Sequence, residues 1–495
     1  MELLTQIDLL RRGESANFPK DANSLAYARK LDSQDALKDL RNEFVIPTEG
    51  SLAKTKLGLD GNIPSETSSK ECVYLVSHGQ GLQPKAVRRY LNAQLETWAS
   101  IAVRGHYTDV VNSPTRQWQD MAEECSIKFT SILGCLPQEV IIMNGLSVNL
   151  HLMIASFYKP TRQRHKIIVE WSPFPSDQHI VESQVMWHGL YEPSQSIVRI
   201  PPNDDSCTFS TETILSVIDQ HAEETALLLL PGVHFYSGQL FDIPTVSARA
   251  RKHGITVGWD LAHAVGNVEL RLHDWDVDFA CWCNYKYINS GPGSLGGAFV
   301  HQRHGSVDFD TGGDHVYRAR LSGWYGNEKS TRYSTNRRFQ PTLGAAGYQV
   351  SNPSVMDLAT LSAALTAFDK TSMRYLRSKS LVLTAYTEYL LDQILDETKS
   401  DELLFILVTP RDPLQRGAQL SLRFRDKVIL DGVMEALEDE GIVCDRHRPD
   451  LIRISAAPLY SRFEDVWRFV SALRDSLGLP RLPVSSDLVD LDGST

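Results

Sequence analysis

The sequence lacks the marks of a membrane protein, a nucleic-acid-binding protein or a disulfide-stabilised protein. No apolar run approaches the roughly 18 residues that span a bilayer. With 50 Lys and Arg against 61 Asp and Glu, the net charge is −11, which favours neither nucleic acid nor an anionic membrane as a partner. The seven cysteines are odd in number and scattered, so they predict reduced thiols in a cytoplasmic protein. Only Cys281 and Cys283 lie close together, and without a second pair at zinc spacing we expect no metal site.

The order of apolar and helical segments predicts two domains with flanking segments. Residues 1–70 are polar and helix-prone, and they end in loop residues (GNIPSETSS), so they predict a helical arm. Their first residues, MELLTQIDLLRRGESAN, lack the apolar core of a signal peptide. In residues 71–350, short apolar runs alternate with helical segments. This predicts an α/β fold, with a large domain whose mostly parallel central sheet is flanked by helices. Residues 351–482 predict a smaller α+β C-terminal domain that begins with one long helix, and residues 483–495 predict a disordered tail.

Two charged residues follow neighbouring apolar runs of the predicted sheet. Asp260 ends TVGWD, and Lys286 follows FACWCNY, 26 residues later. Ligands of open α/β sheets bind at the carboxyl ends of strands, so the carboxylate and the amine would meet in one crevice. Pyridoxal 5'-phosphate (PLP) needs this pair, because its aldehyde binds a lysine covalently and its ring nitrogen must stay protonated. From spacing alone, Lys286 as a surface lysine and Asp260 as a turn cap remain an open alternative.

The surroundings favour the cofactor interpretation. Lysine is unusual directly after an aromatic, apolar strand, and the Gly-rich turn that follows allows a ligand to approach the backbone. In MNGLSVNLHL a strand ends and a helix begins, which is typical of a phosphate site but also of an ordinary helix start. In WSPFPSDQHI, Phe174 could stack on a planar ring and Asp177 could bind it, although the segment could also be a proline-rich turn.

Several motifs together resemble those of kynureninases, from about Tyr74 to Tyr460. They are FACWCNYKYINSG, GWDLAHAVGNVELRLHDWDVDFA, FPSD followed by ESQ and WHGL, GVHFYSGQ, a VNLHL helix start and RISAAPLY. DLAHAVGN joined to the CWCNYKY block is the most specific of them. The resemblance implies a PLP enzyme with an aspartate-aminotransferase-like fold (fold type I), assembled as a homodimer.

The resemblance also implies roles for individual residues. Lys286 would bind PLP covalently, Asp260 would pair with its ring nitrogen, and Tyr236 would lie near the phosphate and donate a proton to the substrate carbanion. Further cofactor contacts are implied for Leu146, Ser147, Phe174, Pro175, Ser176, Asp177, Pro231, His263, Tyr285, Trp324 and Asn352. Trp324 and Asn352 would complete the site across the dimer interface. Substrate contacts are implied for His106, Tyr325, Ser351, Asn352 and Arg453, with Arg453 on the α-carboxylate.

Two departures from the family pattern concern the substrate and the cofactor. The family motif FLGNSLGLQPK is replaced by LVSHGQGLQPK, so Ser77, His78, Gly79 and Gln80 stand where Gly-Asn-Ser-Leu is usual. Pro231 stands where serine is common, and because proline has no N–H it can contact a ligand only through its carbonyl or by packing.

The implied reaction is hydrolysis of the Cβ–Cγ bond of L-kynurenine or 3-hydroxy-L-kynurenine, in tryptophan degradation and NAD biosynthesis. Three alternatives stay open. They are a PLP β-lyase or desulfurase on the same fold, a kynureninase-like enzyme that acts on a modified substrate, and a non-catalytic binding protein. A desulfurase needs a mobile, reactive cysteine, and Cys281 and Cys283 are predicted to be buried in a strand.

Overall fold

The chain divides into two compact units in a computed structural model that describes residues 2–54, 70–203, 207–311, 314–334, 338–398 and 403–485. The smaller unit comprises Met1–Gln83, Tyr236–Gly238 and Arg374–Thr495, and the larger comprises Pro84–Phe235 and Gln239–Met373. Among the described residues, no helix combines the length and the apolar character that crossing a membrane requires.

The smaller unit contains the first and last parts of the chain. Its helices are α1 (Glu2–Arg11), α2 (Leu25–Gln34), α3 (Glu49–Leu52), α12 (Met373–Glu397), α13 (Lys427–Asp439) and α14 (Phe463–Ser476). Its strands are β1 (Val73–Tyr74), β11 (Phe405–Leu407), β12 (Gln419–Phe424), β13 (Ile442–Val443), β14 (Asp445–His447) and β15 (Leu451–Ser455). Four strands form an antiparallel sheet in the order β11-β12-β15-β14, and β1 pairs with β13 in parallel.

The larger unit contains the remaining elements. Its helices are α4 (Val87–Ile101), α5 (Met121–Leu133), α6 (Leu146–Phe157), α7 (Pro175–His188), α8 (Pro193–Ser196), α9 (Thr211–Gln220), α10 (Ile243–Lys252) and α11 (Val355–Phe368). Its strands are β2 (Val140–Met143), β3 (Lys166–Glu170), β4 (Ile197–Ile200), β5 (Thr225–Pro231), β6 (Thr256–Asp260), β7 (Phe279–Cys283), β8 (Gly296–Val300), β9 (Val307–Phe309) and β10 (His315–Tyr317).

A seven-stranded sheet forms the centre of the larger unit, in the order β2-β8-β7-β6-β5-β3-β4. All neighbours pair in parallel except β8, which is antiparallel to both β2 and β7. The central strands are buried on both faces because helices cover both, which explains their continuous apolar runs. This confirms the predicted α/β fold with a mostly parallel sheet.

The unit boundaries differ from the domain boundaries expected from the sequence. Residues 1–54 form more than an arm, because Leu3, Leu10, Tyr27 and Leu31 are buried in the core of the smaller unit. The single helix expected at about 357–395 is two helices, α11 and α12, and α11 belongs to the larger unit. Both the GNIPSETSS loop and all but residues 483–485 of the expected tail lie outside the described residues.

Candidate functional site

Charged side chains gather at one edge of the seven-stranded sheet. Glu170 is the last residue of β3 and Asp260 is the last residue of β6, while Lys286 follows the end of β7. Strands β3, β5, β6 and β7 run in parallel, and β2 shares their direction because both β2 and β7 are antiparallel to β8. The carboxyl ends of all these strands therefore lie at the same edge, where ligands of such sheets bind.

Three buried carboxyl groups interact at this edge. Burial raises the pKa of Asp177 well above its ordinary value, the negative charges of Asp260 and Glu170 raise it further, and Lys286 opposes the shift. Asp260 Oδ1 accepts a hydrogen bond from the Ala262 amide at 2.8 Å, whereas the buried Asp177 Oδ1 has no hydrogen-bond partner among the described residues. This buried cluster of acidic groups, with one carboxyl oxygen of Asp177 left without a partner, fits a ligand that brings a hydrogen-bond donor.

Glu170 was not among the residues predicted from the sequence. Its pKa is raised from 4.5 to about 8, chiefly by burial and also by the charge of Asp260, so the side chain is largely protonated at neutral pH. His234 Nε2 lies 4.0 Å from Glu170 Oε1, and burial lowers the pKa of His234 to about 3. Both groups are neutral at pH 7. The signal for Glu170 was present, since it ends the apolar run KIIVE as Asp260 ends TVGWD.

Two helix N-termini meet at a pair of hydroxyl groups. Ser147 is the second residue of α6 and Ser176 the second residue of α7, and their Oγ atoms lie 2.6 Å apart. Neither helix start is capped by a side chain: Gly145 and Phe174 are the N-cap residues. First-turn amides and two hydroxyl groups together form a site that suits a phosphate.

Other predicted cofactor contacts line the same edge. Leu146 and Pro175 are the first residues of α6 and α7, and Pro231, the last residue of β5, is paired with Asp260. Phe174 is half-exposed and meets Phe235 edge to face, with ring centroids 5.4 Å apart. His263 is buried just beyond Asp260.

The strand β7 ends in side chains that burial keeps protonated. Cys281 and Cys283 are buried, and burial raises the pKa of both thiols. Tyr285 is half-buried, and burial together with the nearby Cys283 raises the pKa of its hydroxyl. These thiols therefore lack the exposure and the low pKa of a reactive cysteine.

A separate aromatic cluster holds three of the predicted substrate and cofactor contacts. His106 lies against Tyr107, Tyr107 against Tyr333, Tyr333 against Trp324, and Trp324 against Tyr325, with ring centroids 5.0 to 5.9 Å apart. Within the described parts of the chain, no hydrogen bond or ring contact joins this cluster, Ser351 or Asn352 to Lys286 or Asp260. The substrate and cofactor roles of these five residues therefore stay predictions.

Two predicted site residues belong to the smaller unit. Arg453 on β15 faces Asp445 on β14, and its Nε and Nη2 lie 2.7 and 2.6 Å from Asp445 Oδ2. Tyr236 meets His447 edge to face at 5.7 Å between ring centroids, and its carbonyl accepts a hydrogen bond from Ser421 Oγ at 2.6 Å. Ser421 pairs with Arg453 across β12 and β15, so the two predicted residues are tied to one small sheet.

Among the described residues, one group of side chains has the spacing of metal ligands. Glu139, His273 and His301 have ligand atoms within 4.8 Å of one another. The Glu139 oxygens already accept hydrogen bonds from the amides of Leu136 and Gln302 and meet His273 Nδ1 at 2.9 Å. This network satisfies the buried carboxylate without an ion.

Comparisons with known proteins identify the family of the chain. Residues 376–473 match the family model described as the kynureninase C-terminal domain. Kynureninase 1 of Neurospora crassa is 56% identical over 480 residues, which cover 95% of this chain and 98% of the relative. Kynureninase of Pyricularia oryzae is 51% identical over 488 residues, covering 93% of this chain and 96% of the relative.

Solved structures show the same fold at lower identity. The cystine C–S lyase C-DES, solved with its product cysteine persulfide, matches with a TM-score of 0.65 at 16% identity, covering 82% of this chain and 97% of that chain. The cysteine desulfurase CsdA of Escherichia coli matches with a TM-score of 0.62 at 17% identity, covering 82% and 95%. A further C-DES structure carries glycine covalently linked to its PLP cofactor. These structural similarities show the fold alone. The relatives that are 56% and 51% identical show that the chain belongs to the kynureninase family.

Proposed function

We propose that the protein is a PLP-dependent kynureninase. It would hydrolyse the Cβ–Cγ bond of L-kynurenine, 3-hydroxy-L-kynurenine or both, giving L-alanine and anthranilate or 3-hydroxyanthranilate. The observation that carries the proposal is the buried group of Glu170, Asp177 and Asp260 beside Lys286, in a chain of the kynureninase family.

The residues at the strand edge fit PLP. When bound, the cofactor supplies a protonated pyridine ring that accepts the electrons released when substrate bonds break. Asp260 would hold the proton on the ring nitrogen, since an opposite charge favours the charged form. The buried Asp177 would gain a polar partner for its Oδ1. Ser147 and Ser176 would bind the phosphate, and the half-exposed ring of Phe174 would stack on the pyridine.

Further residues would complete the cofactor site. Lys286 would bind the cofactor covalently, and Tyr285 would donate its hydroxyl proton towards the phosphate, because its raised pKa keeps it protonated. Leu146, Pro175, Pro231 and His263 would contact the cofactor from the strand edge.

The chain's own residues would then bind the substrate and move its protons. Arg453 would bind the α-carboxylate, because a guanidinium matches a carboxylate with two parallel N–H groups. Lys286 Nζ would take the proton from substrate Cα. Water adds to the γ-carbonyl carbon, the Cβ–Cγ bond breaks with its electron pair left on Cβ, and Cβ takes a proton from the Tyr236 hydroxyl to become the methyl group of alanine.

The desulfurase alternative lacks a suitable nucleophile in the strand that precedes Lys286. Cys281 and Cys283 are buried in a central strand, and burial raises the pKa of both thiols. Sulfur transfer needs an accessible thiolate, which neither residue provides. A modified kynurenine as substrate stays an alternative that the assay below resolves.

We further propose a cytoplasmic homodimer that acts in tryptophan degradation and NAD biosynthesis. The larger unit exposes large apolar side chains, with Trp98, Val103 and Val111 exposed by 61%, 69% and 86%. Where such side chains form one patch, they are typical of a surface that a second protein covers. A second copy would bring His106, Trp324, Tyr325, Ser351 and Asn352 to its partner's site. Light scattering at micromolar concentration should give twice the chain mass.

The test of the proposed activity compares two substrates on the PLP-loaded protein. L-kynurenine and 3-hydroxy-L-kynurenine are supplied separately, anthranilate and 3-hydroxyanthranilate are measured by fluorescence, and alanine is measured in the same samples. We expect one alanine for each aromatic acid. The Lys286→Ala variant is the control for activity of free PLP. No aromatic acid from either substrate, or sulfide release from cysteine instead, would overturn the proposal.

A further inference from the structure

The segment in which this chain departs from the family motif is fixed onto β15. The Ser455 amide donates a hydrogen bond to the Leu75 carbonyl at 2.8 Å, and Ser77 Oγ lies 2.7 Å from the Tyr460 hydroxyl. His78, which stands where the family has asparagine, is buried, with its side chain 0% exposed. The neighbours of His78 are therefore residues of the same unit that pack around this segment.

His78 meets the ion pair that holds Arg453. His78 Nε2 lies 3.6 Å from Asp445 Oδ2, the oxygen that also contacts Nε and Nη2 of Arg453. At 3.6 Å this is an electrostatic contact longer than a full hydrogen bond. Burial opposes ionisation of Asp445, but the contact with His78 and the charge of Arg453 outweigh it and hold the pKa of Asp445 at about 2. Asp445 is therefore ionised throughout the neutral range.

Asp445 determines how Arg453 can meet a second carboxylate. A guanidinium offers two edges for a paired contact, and Asp445 contacts the Nε–Nη2 edge. A substrate carboxylate would meet the Nη1–Nη2 edge. Rotation of the Asp445 carboxyl group would turn that edge away, and His78 packs against the oxygen that such a rotation would move.

We propose that His78 is a positioning residue that acts through Asp445 on Arg453 and sets the preference of the site for an α-carboxylate. The inference rests on the proposed function in one respect, namely that Arg453 binds this carboxylate. The same small sheet also binds the Tyr236 carbonyl through Ser421. The backbone of Tyr236 is thus held by the same sheet as Arg453, and a shift of the Arg453 side chain would move the substrate relative to the Tyr236 hydroxyl.

The test measures carboxylate preference by equilibrium binding rather than by turnover. L-alanine and L-alaninamide are titrated into the PLP-loaded protein, and the visible absorption of the cofactor reports each Kd. The carboxylate preference is the Kd for L-alaninamide divided by the Kd for L-alanine. We expect His78→Leu to lower this ratio by about tenfold, because leucine offers Asp445 no polar contact and Arg453 then loses the orientation that a paired contact with a carboxylate needs. His78→Gln should retain most of it, because its amide nitrogen can take the place of Nε2 and donate a hydrogen bond to Asp445.

Two further variants separate positioning from general damage. In an Arg453→Ala background, His78→Leu should cause no additional loss, since residues that act through one another are non-additive. Ser77→Ala removes the contact with Tyr460 in the same segment but should leave the ratio unchanged. Bound PLP, measured per chain, reports folding of each variant.

Each outcome bears on one proposal. An unchanged ratio in His78→Leu, or an equal further loss in the Arg453→Ala background, would overturn the positioning role. If His78→Leu does not fold, the ratio of His78→Gln decides, and a fall as large as that of Arg453→Ala would overturn the proposal that a donor at position 78 positions Arg453. A wild-type protein that shows the carboxylate preference but turns over neither kynurenine would contradict the proposed function alone.

Discussion

Replacing Glu170 by glutamine should stabilise the PLP-free protein in a way that depends on pH. Folding raises the pKa of Glu170 from 4.5 to about 8, because the carboxyl group is buried near Asp260. An acid with a raised pKa contributes its full stability below the unfolded value, and loses it as the pH rises towards the folded value. The loss therefore occurs between pH 4.5 and pH 8.

The magnitude follows from the width of that window. At about 1.4 kcal/mol for each pH unit, the roughly 2.5 units from pH 4.5 to pH 7 correspond to about 3 kcal/mol as an upper limit. Relaxation around the charge reduces this, so we expect Glu170→Gln to raise the free energy of unfolding by about 1 to 3 kcal/mol at pH 7. At pH 4.5 glutamine and protonated glutamate are nearly equivalent, and the gain should be close to zero.

The assay is urea unfolding of the PLP-free wild-type and Glu170→Gln proteins at several pH values from 4.5 to 8. The stability difference is the shift in midpoint multiplied by the common slope. Glu224→Gln is the matched control, since Glu224 is exposed, pairs with Lys166 and has a lowered pKa, so it should give no gain at any pH. A Glu170→Gln gain that is the same at pH 4.5 and pH 7 would refute the reasoning.

Three further substitutions test individual roles. Asp260→Asn should retain some PLP but lose at least about 100-fold in kcat, because asparagine cannot stabilise the ring charge; a kcat within about twofold of wild type would contradict this role. Arg453→Lys should raise KM and lower kcat, with about 2–4 kcal/mol lost from kcat/KM, while the PLP spectrum of the free enzyme stays unchanged. Unchanged kinetics would remove Arg453 from the site. Replacing both Ser147 and Ser176 by alanine should weaken PLP binding by about tenfold, measured by titration of the PLP-free protein. An unchanged Kd for PLP would argue against the phosphate site.

The sequence predicted the large sheet because its strands are buried on both faces and read as continuous apolar runs. The same runs led to the prediction of Asp260, Lys286 and Ser147, since Asp260 ends one run and the other two follow a run within four residues. Glu170 carries the same signal and was missed because it lies outside the motifs that resemble the family. Its raised pKa depends on burial near Asp260, which a local pattern does not encode.

Other features depend on pairing between distant segments. The contact of Asp445 with Arg453 follows from the pairing of β14 with β15, which the sequence does not reveal. The position of His78 likewise depends on the hydrogen bond between the Ser455 amide and the Leu75 carbonyl. The N-terminal helices are largely polar, which is why the sequence predicts an arm. A few of their apolar residues, such as Leu3 and Leu31, are nevertheless buried in the core of the smaller unit. Sequence periodicity indicates which face of a helix is apolar, but not which surface it packs against.

The most direct test of the account is the position of the cofactor. The PLP-loaded protein is reduced with sodium borohydride, digested and mapped by mass spectrometry, which locates the pyridoxyl label. We predict one label per chain on Lys286, and loss of the label with loss of kynurenine hydrolysis in Lys286→Ala. A label on a different lysine, or a protein that takes up no PLP, would contradict the assignment of the strand edge as the active site.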